Sequence, residues 1–132
     1  MGMPQHLCSA SLALYSEVVP GASLRECLAS DEPLEYFDKG SFVGKTKFRR
    51  EEHTCRLKSP AFAAGEMAVQ WIMERVTVLD LFWRLQREGA LEAQLSFEVT
   101  SEDGHFPSLR IGVPAIAWLH RLGAVIDVDI LY

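Results

Sequence analysis

Residues 91–100 read LEAQLSFEVT, and their alternation decides the fold class. Leucine, alanine, leucine, phenylalanine and valine occupy the odd-numbered positions, and polar residues occupy the even-numbered positions. A period of two over the whole segment predicts a β-strand with one apolar and one polar face. Strands of this kind are typical of antiparallel sheets that pack one face on the core and turn the other toward solvent.

The same alternation recurs near both ends of the chain. Residues 7–15 (LCSASLALY) and 125–131 (VIDVDIL) each predict a strand, and the second strand carries two aspartates on its polar face. Between them, a short strand is predicted at 34–37. Another strand is predicted to begin at Phe48 or His53 and to end at Ser59.

Two helical segments lie between these strands. Residues 24–29 predict a short helix capped by Ser23, with Glu26 completing a capping box. Residues 61–88 place apolar side chains at steps of three or four, which indicates a longer helix with one apolar face. The β-branched residues 76–78 weaken helix propensity, so we expect a kink or two consecutive helices there.

A third helix is predicted from Pro114 to Leu122, because proline is favoured in a first helical turn and Gly123 ends the pattern. The element order is therefore β-α-β-β-α(α)-β-α-β. Amphipathic strands in this order predict an α+β fold with a largely antiparallel sheet of about five strands and helices packed on one face. A ferredoxin-like core with an added helix and strand fits the order. We expect residues 1–132 to form a single α+β domain.

Charge is unevenly distributed along the chain. The net charge is −5, but residues 39–58 contain seven basic and two acidic residues, so this segment carries +5 and the remainder carries −10. An acidic protein is a poor candidate for nucleic-acid binding, which usually needs a basic surface. Separated charges of opposite sign suit a charged protein partner or self-association better.

The cysteines, the first fifteen residues and the length of the apolar stretches predict the cellular compartment. Three cysteines, Cys8, Cys27 and Cys55, show no disulfide spacing pattern and suit a reducing cytosol. The first fifteen residues lack the features of a signal peptide. No apolar stretch approaches the roughly 20 residues that span a bilayer. We therefore expect a cytoplasmic protein without a membrane partner.

Several residues could support chemistry, but each has a simpler interpretation. His6 with Cys8, and His53 with Cys55, could each present two zinc ligands on one strand face, although buried cysteine is also a common core residue. The string GSFVGKT at 40–46 resembles a phosphate-binding loop, but three residues separate its glycines where four are needed. We therefore predict no metal site, no cofactor and no catalytic residue.

Short motifs along nearly the whole chain resemble a family of small bacterial proteins described as domain of unknown function 4279. They are the opening strand ending at Tyr15 or Ser16, the short helix at 24–29, Lys39-Gly40, Leu57 with Ser59, and LHRLG at 119–123 followed by IDVDI at 126–130. The resemblance implies an α+β fold. It implies no activity, because that family has no established one.

The acidic residues provide the main candidate surface. If the strands at 91–100 and 125–131 share a sheet, their polar faces combine into an acidic surface that suits a basic partner. Trp118 lies at the edge of its helix's apolar stripe, where aromatic residues often anchor interfaces. The residues assigned to partner binding are Glu92, Glu98, Asp127, Asp129 and Trp118.

Three functions are compatible with these observations. We expect a non-enzymatic protein-binding or immunity-type module, whose partner is another protein or a second copy of the chain. The alternative is a small-ligand-binding or regulatory domain with a pocket near residues 34–50. The third is an enzyme whose site is assembled from residues distant in the sequence.

Overall fold

The computed structural model describes residues 7–100 and 108–131. Within these ranges the chain forms seven strands and four helices. In chain order they are β1 (Leu7–Ser16), α1 (Gly21–Arg25), β2 (Leu28–Ser30), β3 (Glu35–Phe37), β4 (His53–Lys58), α2 (Gly65–Arg75), β5 (Val76–Val78), α3 (Asp80–Arg87), β6 (Glu92–Thr100), α4 (Val113–Leu122) and β7 (Val125–Leu131).

Five of the strands form one sheet. Their order is β3-β4-β1-β6-β7, and β2 pairs separately with β5. β3 and β4 run antiparallel, whereas β6 and β7 run parallel. The α+β class with a mostly antiparallel five-stranded sheet, predicted from the alternation at 91–100, is thereby confirmed. The ferredoxin-like arrangement of the core stays a prediction.

The chain divides into two compact units. One unit consists of the chain up to residue 12, residues 58–74 and the chain from residue 94 onward, and the other consists of residues 13–57 and 75–93. We refer to them as the first and the second unit. The single-domain assignment of residues 1–132 stays a prediction.

The first unit contains α2, α4 and β7, together with most of β6. Its fully or nearly buried apolar side chains are Cys8, Ala10, Leu12, Ala68, Val69, Ile72, Leu95, Phe97, Val99, Ala115, Leu119 and Leu122. Helix α4 matches its prediction, with proline in the first turn and Gly123 at its end. Gly123 has φ of 64°, a left-handed conformation that glycine adopts without strain, and the Ala124 N–H donates to the Leu119 carbonyl at 3.0 Å. Apolar residues at positions 116, 119 and 122 predict one buried stripe on this helix, but Ile116 is 53% exposed, whereas Leu119 and Leu122 are buried.

The second unit contains α1, α3 and the small sheet of β2 and β5. Its buried apolar side chains include Leu14, Leu24, Cys27, Leu28, Cys55, Val76, Phe82 and Leu85. The N–H of Gly21, the first residue of α1, donates to the Asp38 carboxylate at 3.0 Å. This hydrogen bond ties the start of α1 to the chain that follows β3.

The predicted helix at 61–88 is interrupted by a strand. Residues 76–78 form β5, which pairs antiparallel with β2, so that Val76 faces Ser30 and Val78 faces Leu28. Val-Thr-Val is β-branched throughout, and such residues lose less side-chain freedom in a strand than in a helix. The sequence located the break, but the strand depends on a partner almost fifty residues away, which local periodicity does not reveal.

The short helix predicted at 24–29 lies earlier in the chain. The helix is α1, Gly21–Arg25, and residues 28–30 are already in β2. Its N-cap is Pro20, which makes no side-chain capping bond, so the capping box assigned to Ser23 and Glu26 is wrong. Residues 28 and 29, which were predicted to be helical, instead pair with β5 as part of β2.

The other predicted elements agree with the structure to within a few residues. β1, β6 and β7 lie where alternation predicts them, β3 lies within the predicted range 34–37, and β4 begins at the later of its two candidate starts, His53. The sequence EDG at 102–104 predicts a turn, and it lies outside the described residues. None of the described helices is both long enough and apolar enough to cross a membrane.

A buried serine at the end of β4 provides a test of this packing. Ser59 Oγ accepts a hydrogen bond from the Ala10 N–H at 2.9 Å and donates one to the Pro60 carbonyl at 2.8 Å. We expect Ser59→Ala to lower the free energy of unfolding by about 1–3 kcal/mol, because the Ala10 N–H in buried β1 loses its acceptor. Urea denaturation measures this change.

The matched control is Ser30→Ala. Ser30 Oγ accepts the Glu32 N–H at 3.1 Å, but in an exposed turn where water can replace it. We expect this substitution to change the free energy of unfolding by about 0.5 kcal/mol or less. Equal losses in the two variants would contradict the assigned role of Ser59.

Candidate functional site

Three of the five residues assigned to partner binding lie together on the polar face of β6 and β7. In the parallel register, Asp129 pairs with Glu98 and Asp127 pairs with Ser96. Neighbouring strands lie about 4.8 Å apart, so the carboxylates of Glu98 and Asp129 are adjacent. Lys58 Nζ lies 3.7 Å from Glu98 Oε2, which leaves this group of charged side chains net negative.

The other two assigned residues lie elsewhere. Glu92 is on β6, but it precedes Gln94, the first β6 residue that pairs with β7, and it belongs to the second unit. Trp118 is half-buried on α4. The structure therefore brings together Glu98, Asp127 and Asp129, and it does not bring Glu92 or Trp118 into the same strand register.

The opposite face of β7 is apolar and unexpectedly exposed. Ile126, Val128 and Ile130 are 47%, 41% and 45% exposed. Their partners on β6 are Leu95, Phe97 and Val99, which are at most 1% exposed. The apolar face of the sheet thus continues from β6 onto β7. The apolar side chains of β6 are buried, whereas those of β7 remain partly exposed to solvent. No local sequence signal could have revealed this, because alternation assigns a face but not the strand's place in the sheet.

The backbone of β7 is also available on one side. β7 is the last strand in the sheet order, and in the described ranges it pairs with β6 alone. A strand at a sheet edge presents a row of N–H and C=O groups that can pair with a further strand. The docking edge, defined here as residues 125–130 of β7, therefore combines an acidic face, an apolar face and one row of backbone groups that no strand of the described ranges pairs with.

A second distinctive surface is formed by the basic segment that sequence reading identified. Residues 42–49, called the basic arm here, make a hairpin in which Phe42 bridges to Arg49 and the Val43 N–H donates to the Phe48 carbonyl at 2.9 Å. Gly44, at φ of 55°, lies in its turn. The string that resembles a phosphate-binding loop therefore forms the base and turn of this hairpin, with no helix after it.

The basic arm is exposed along its whole length. Phe48 is 74% exposed and Phe42 is 52% exposed, and Lys45 and Lys47 are exposed between them. The Arg49 guanidinium lies 4.4 Å from the centre of the Phe42 ring and donates to the Gly40 carbonyl at 2.9 Å. These contacts hold the two legs of the hairpin together while leaving the basic and aromatic tip open to a partner.

Contacts within the second unit fix the base of the arm. The Arg50 guanidinium lies 3.7 Å from the centre of the Phe37 ring, and the Arg50 N–H donates to the Ser41 carbonyl at 2.8 Å. His53 Nδ1 accepts the Lys39 N–H at 3.0 Å. The residues on either side of the basic arm are therefore held in place by contacts within the second unit.

The residues considered for metal binding or catalysis do not form a site in the described part of the chain. There, no three histidine, cysteine, aspartate or glutamate side chains come close enough to hold a metal ion, and His6 lies outside the described residues. Cys8, Cys27 and Cys55 are buried free thiols. Burial raises the pKa of Cys27 and of Cys55 to about 11, which keeps both thiols protonated at neutral pH and poorly nucleophilic.

Two depressions in the described surface lie within the second unit, and one of them reaches the range 34–50 that the ligand-binding alternative assigned to its pocket. An open depression of about 540 Å³ is lined by Arg25 and residues 28–34, and it meets the predicted range 34–50 only at Leu34. A smaller one of about 290 Å³ is lined by residues 15–18, Glu52 and residues 89–92. Residues 42–49 line neither depression.

Comparison with known proteins does not assign the chain to a family. No protein-family model, no curated protein and no solved structure matches this chain. The resemblance to domain of unknown function 4279 therefore stays a prediction, and the function has to be argued from the surfaces of the molecule itself.

The buried thiols make a testable prediction about stability in alkali. Cys27 and Cys55 titrate near 11 in the folded protein, against an ordinary value of 9.0. The unfolded chain therefore loses these protons first, so we expect the free energy of unfolding to fall as the pH rises from about 9 to about 11. Urea denaturation at a series of pH values measures this slope.

The control is Cys27→Ala, which removes one of the two thiols. Its free energy of unfolding should decline less steeply over the same pH range, whatever its value at neutral pH. An unchanged slope would show that the alkaline loss comes from other groups and not from this thiol.

Proposed function

We propose that this protein is a non-enzymatic protein-binding module that holds a basic extended segment of its partner along the docking edge, residues 125–130. The observation that carries the proposal is the alternation of Asp127 and Asp129 with half-exposed apolar residues on a strand whose outer edge is open. Addition of a strand to an exposed sheet edge is a common mode of peptide recognition.

The chemistry of the edge specifies the partner. Side chains of an added strand alternate between two faces, just as those of β7 do. On one face they would lie opposite Asp127 and Asp129, where lysine or arginine is favoured by about 0.2–1 kcal/mol per cross-strand pair. On the other face they would cover Ile126, Val128 and Ile130, where apolar residues are favoured. The partner segment should therefore alternate basic and apolar residues.

Burial supports the same orientation. Full burial of an isoleucine or valine side chain contributes about 1.5–3 kcal/mol, and the three apolar residues of the edge are each a little under half exposed. Covering them therefore offers roughly 2–4 kcal/mol before the cost of ordering the partner. Affinity from one strand should be modest, with the charges setting specificity. An immunity-type protein that neutralises a basic toxin domain is one form this function could take.

The direct test uses a synthetic peptide of alternating lysine and valine. We expect it to shift the amide NMR signals of residues 125–131 and to bind about tenfold more weakly at high salt, because the charge pairs are exposed to solvent. The matched peptide with glutamate in place of each lysine should not bind.

Variants locate the interaction. Asp127→Lys with Asp129→Lys should abolish peptide binding. Asp31→Lys with Glu32→Lys makes the same charge change at exposed residues of the second unit, and it should leave binding nearly unchanged. Equal loss in both variants would show that net charge, and not the docking edge, attracts the peptide.

A further inference from the structure

We infer that the basic arm of one molecule docks on the docking edge of a second copy of this chain, so that the protein associates head to tail. This inference rests on the proposed function, because it uses the same edge and names its occupant. Both surfaces belong to this chain, and they are complementary in charge and in apolar content.

The pattern of the arm mirrors the pattern of the edge. Lys47, Phe48 and Arg49 are successive residues in the second leg of the hairpin, and they alternate basic, apolar, basic. Asp127, Val128 and Asp129 alternate acidic, apolar, acidic, all of them exposed. A leg of the arm laid beside β7 places cations opposite carboxylates and Phe48 opposite an apolar side chain.

The hairpin leaves backbone groups free for this pairing. The Phe48 carbonyl accepts from Val43 and the Arg50 N–H donates to Ser41, so both of these groups point toward the other leg. Direction alternates along an extended chain, and the N–H and C=O of Arg49 therefore point to the outside of the hairpin. They are placed to extend the ladder of an adjacent strand.

Phe48 supplies the apolar anchor. It is the most exposed aromatic side chain in the described ranges, at 74%, and it gains most from being covered. Aromatic residues, phenylalanine among them, and arginine are enriched at protein interfaces relative to the rest of the surface. The half-exposed apolar face of β7 is a suitable surface for it.

Charge argues against the simpler symmetric dimer in which two copies of β7 pair with each other. With Val128 opposite its own copy in an antiparallel pair, Asp127 of each chain would face Asp129 of the other. Like charges directly opposite each other are destabilising. The arm and the edge are instead two different surfaces, so each copy can use both, and association should grow with concentration.

Sedimentation of the full chain tests the inference. We expect the mean mass of the wild type to rise above the monomer value of 14.8 kDa as concentration increases, and to return to it at high salt. The arm variant is Lys47→Glu with Arg49→Glu, and the edge variant is Asp127→Lys with Asp129→Lys. Each should weaken association by about tenfold or more, because two opposite-charge pairs become like-charge pairs.

Combining the two variants in one chain provides the decisive measurement. The fourfold variant has an acidic arm and a basic edge, so complementarity returns with its signs reversed, and we expect self-association to return with it. Asp31→Lys with Glu32→Lys, and Arg87→Glu with Arg110→Glu, are matched charge controls at exposed sites and should associate like the wild type. Circular dichroism checks that every variant is folded.

Each contrary result has a distinct meaning. A wild type that stays monomeric while the lysine–valine peptide still binds at residues 125–131 overturns self-association and leaves the proposed function standing. If the wild type stays monomeric and the lysine–valine peptide also does not bind, both self-association and the proposed function are overturned. A fourfold variant that stays monomeric, or an arm that binds a single-stranded oligonucleotide in a monomeric wild type, also overturns the pairing of arm and edge.

Discussion

The parallel register between β6 and β7 is the constraint on which the candidate surface depends. It pairs Phe97 with Val128 and Glu98 with Asp129, and alternation then fixes the face of every other residue on the two strands. A shift of one residue would turn the aspartates toward the core face and the apolar residues toward the polar face. One register thus creates the acidic face and the apolar face together. The position of β7 at the sheet edge leaves both accessible.

Much of the fold could be predicted, because the decisive signals are local. Alternation at 91–100 and 125–131 requires only neighbouring residues, and so does the stop at Gly123, where the backbone turns left-handed. Two segments whose structure depends on distant partners were not predicted correctly. Residues 76–78 form a strand only because residues 28–30 are beside them, and that pairing also displaced the helix predicted at 24–29.

The candidate site was predicted in part, for a related reason. Glu98, Asp127 and Asp129 share a face because their strands are adjacent, an arrangement that alternation made plausible and strand order decides. Glu92 lies on the same strand face as Glu98 by alternation, but it precedes Gln94, where the pairing of β6 with β7 begins. The exposure of Ile126, Val128 and Ile130 could not be foreseen, since it depends on which strand ends the sheet. The basic segment was visible as charge, whereas its hairpin and exposed phenylalanines required the structure.

Amide hydrogen exchange along β7 reports whether its outer edge is open in the isolated molecule and available to a strand. Half of the amides of an edge strand point toward its neighbour and half point outward. In dilute protein we expect alternating protection at 125–131, with the outward amides exchanging rapidly and the β6 amides protected throughout. The rapid amides should become protected when a basic strand is added. Uniform protection of β7 in the dilute monomer would contradict the account, because it would mean that the edge is already covered.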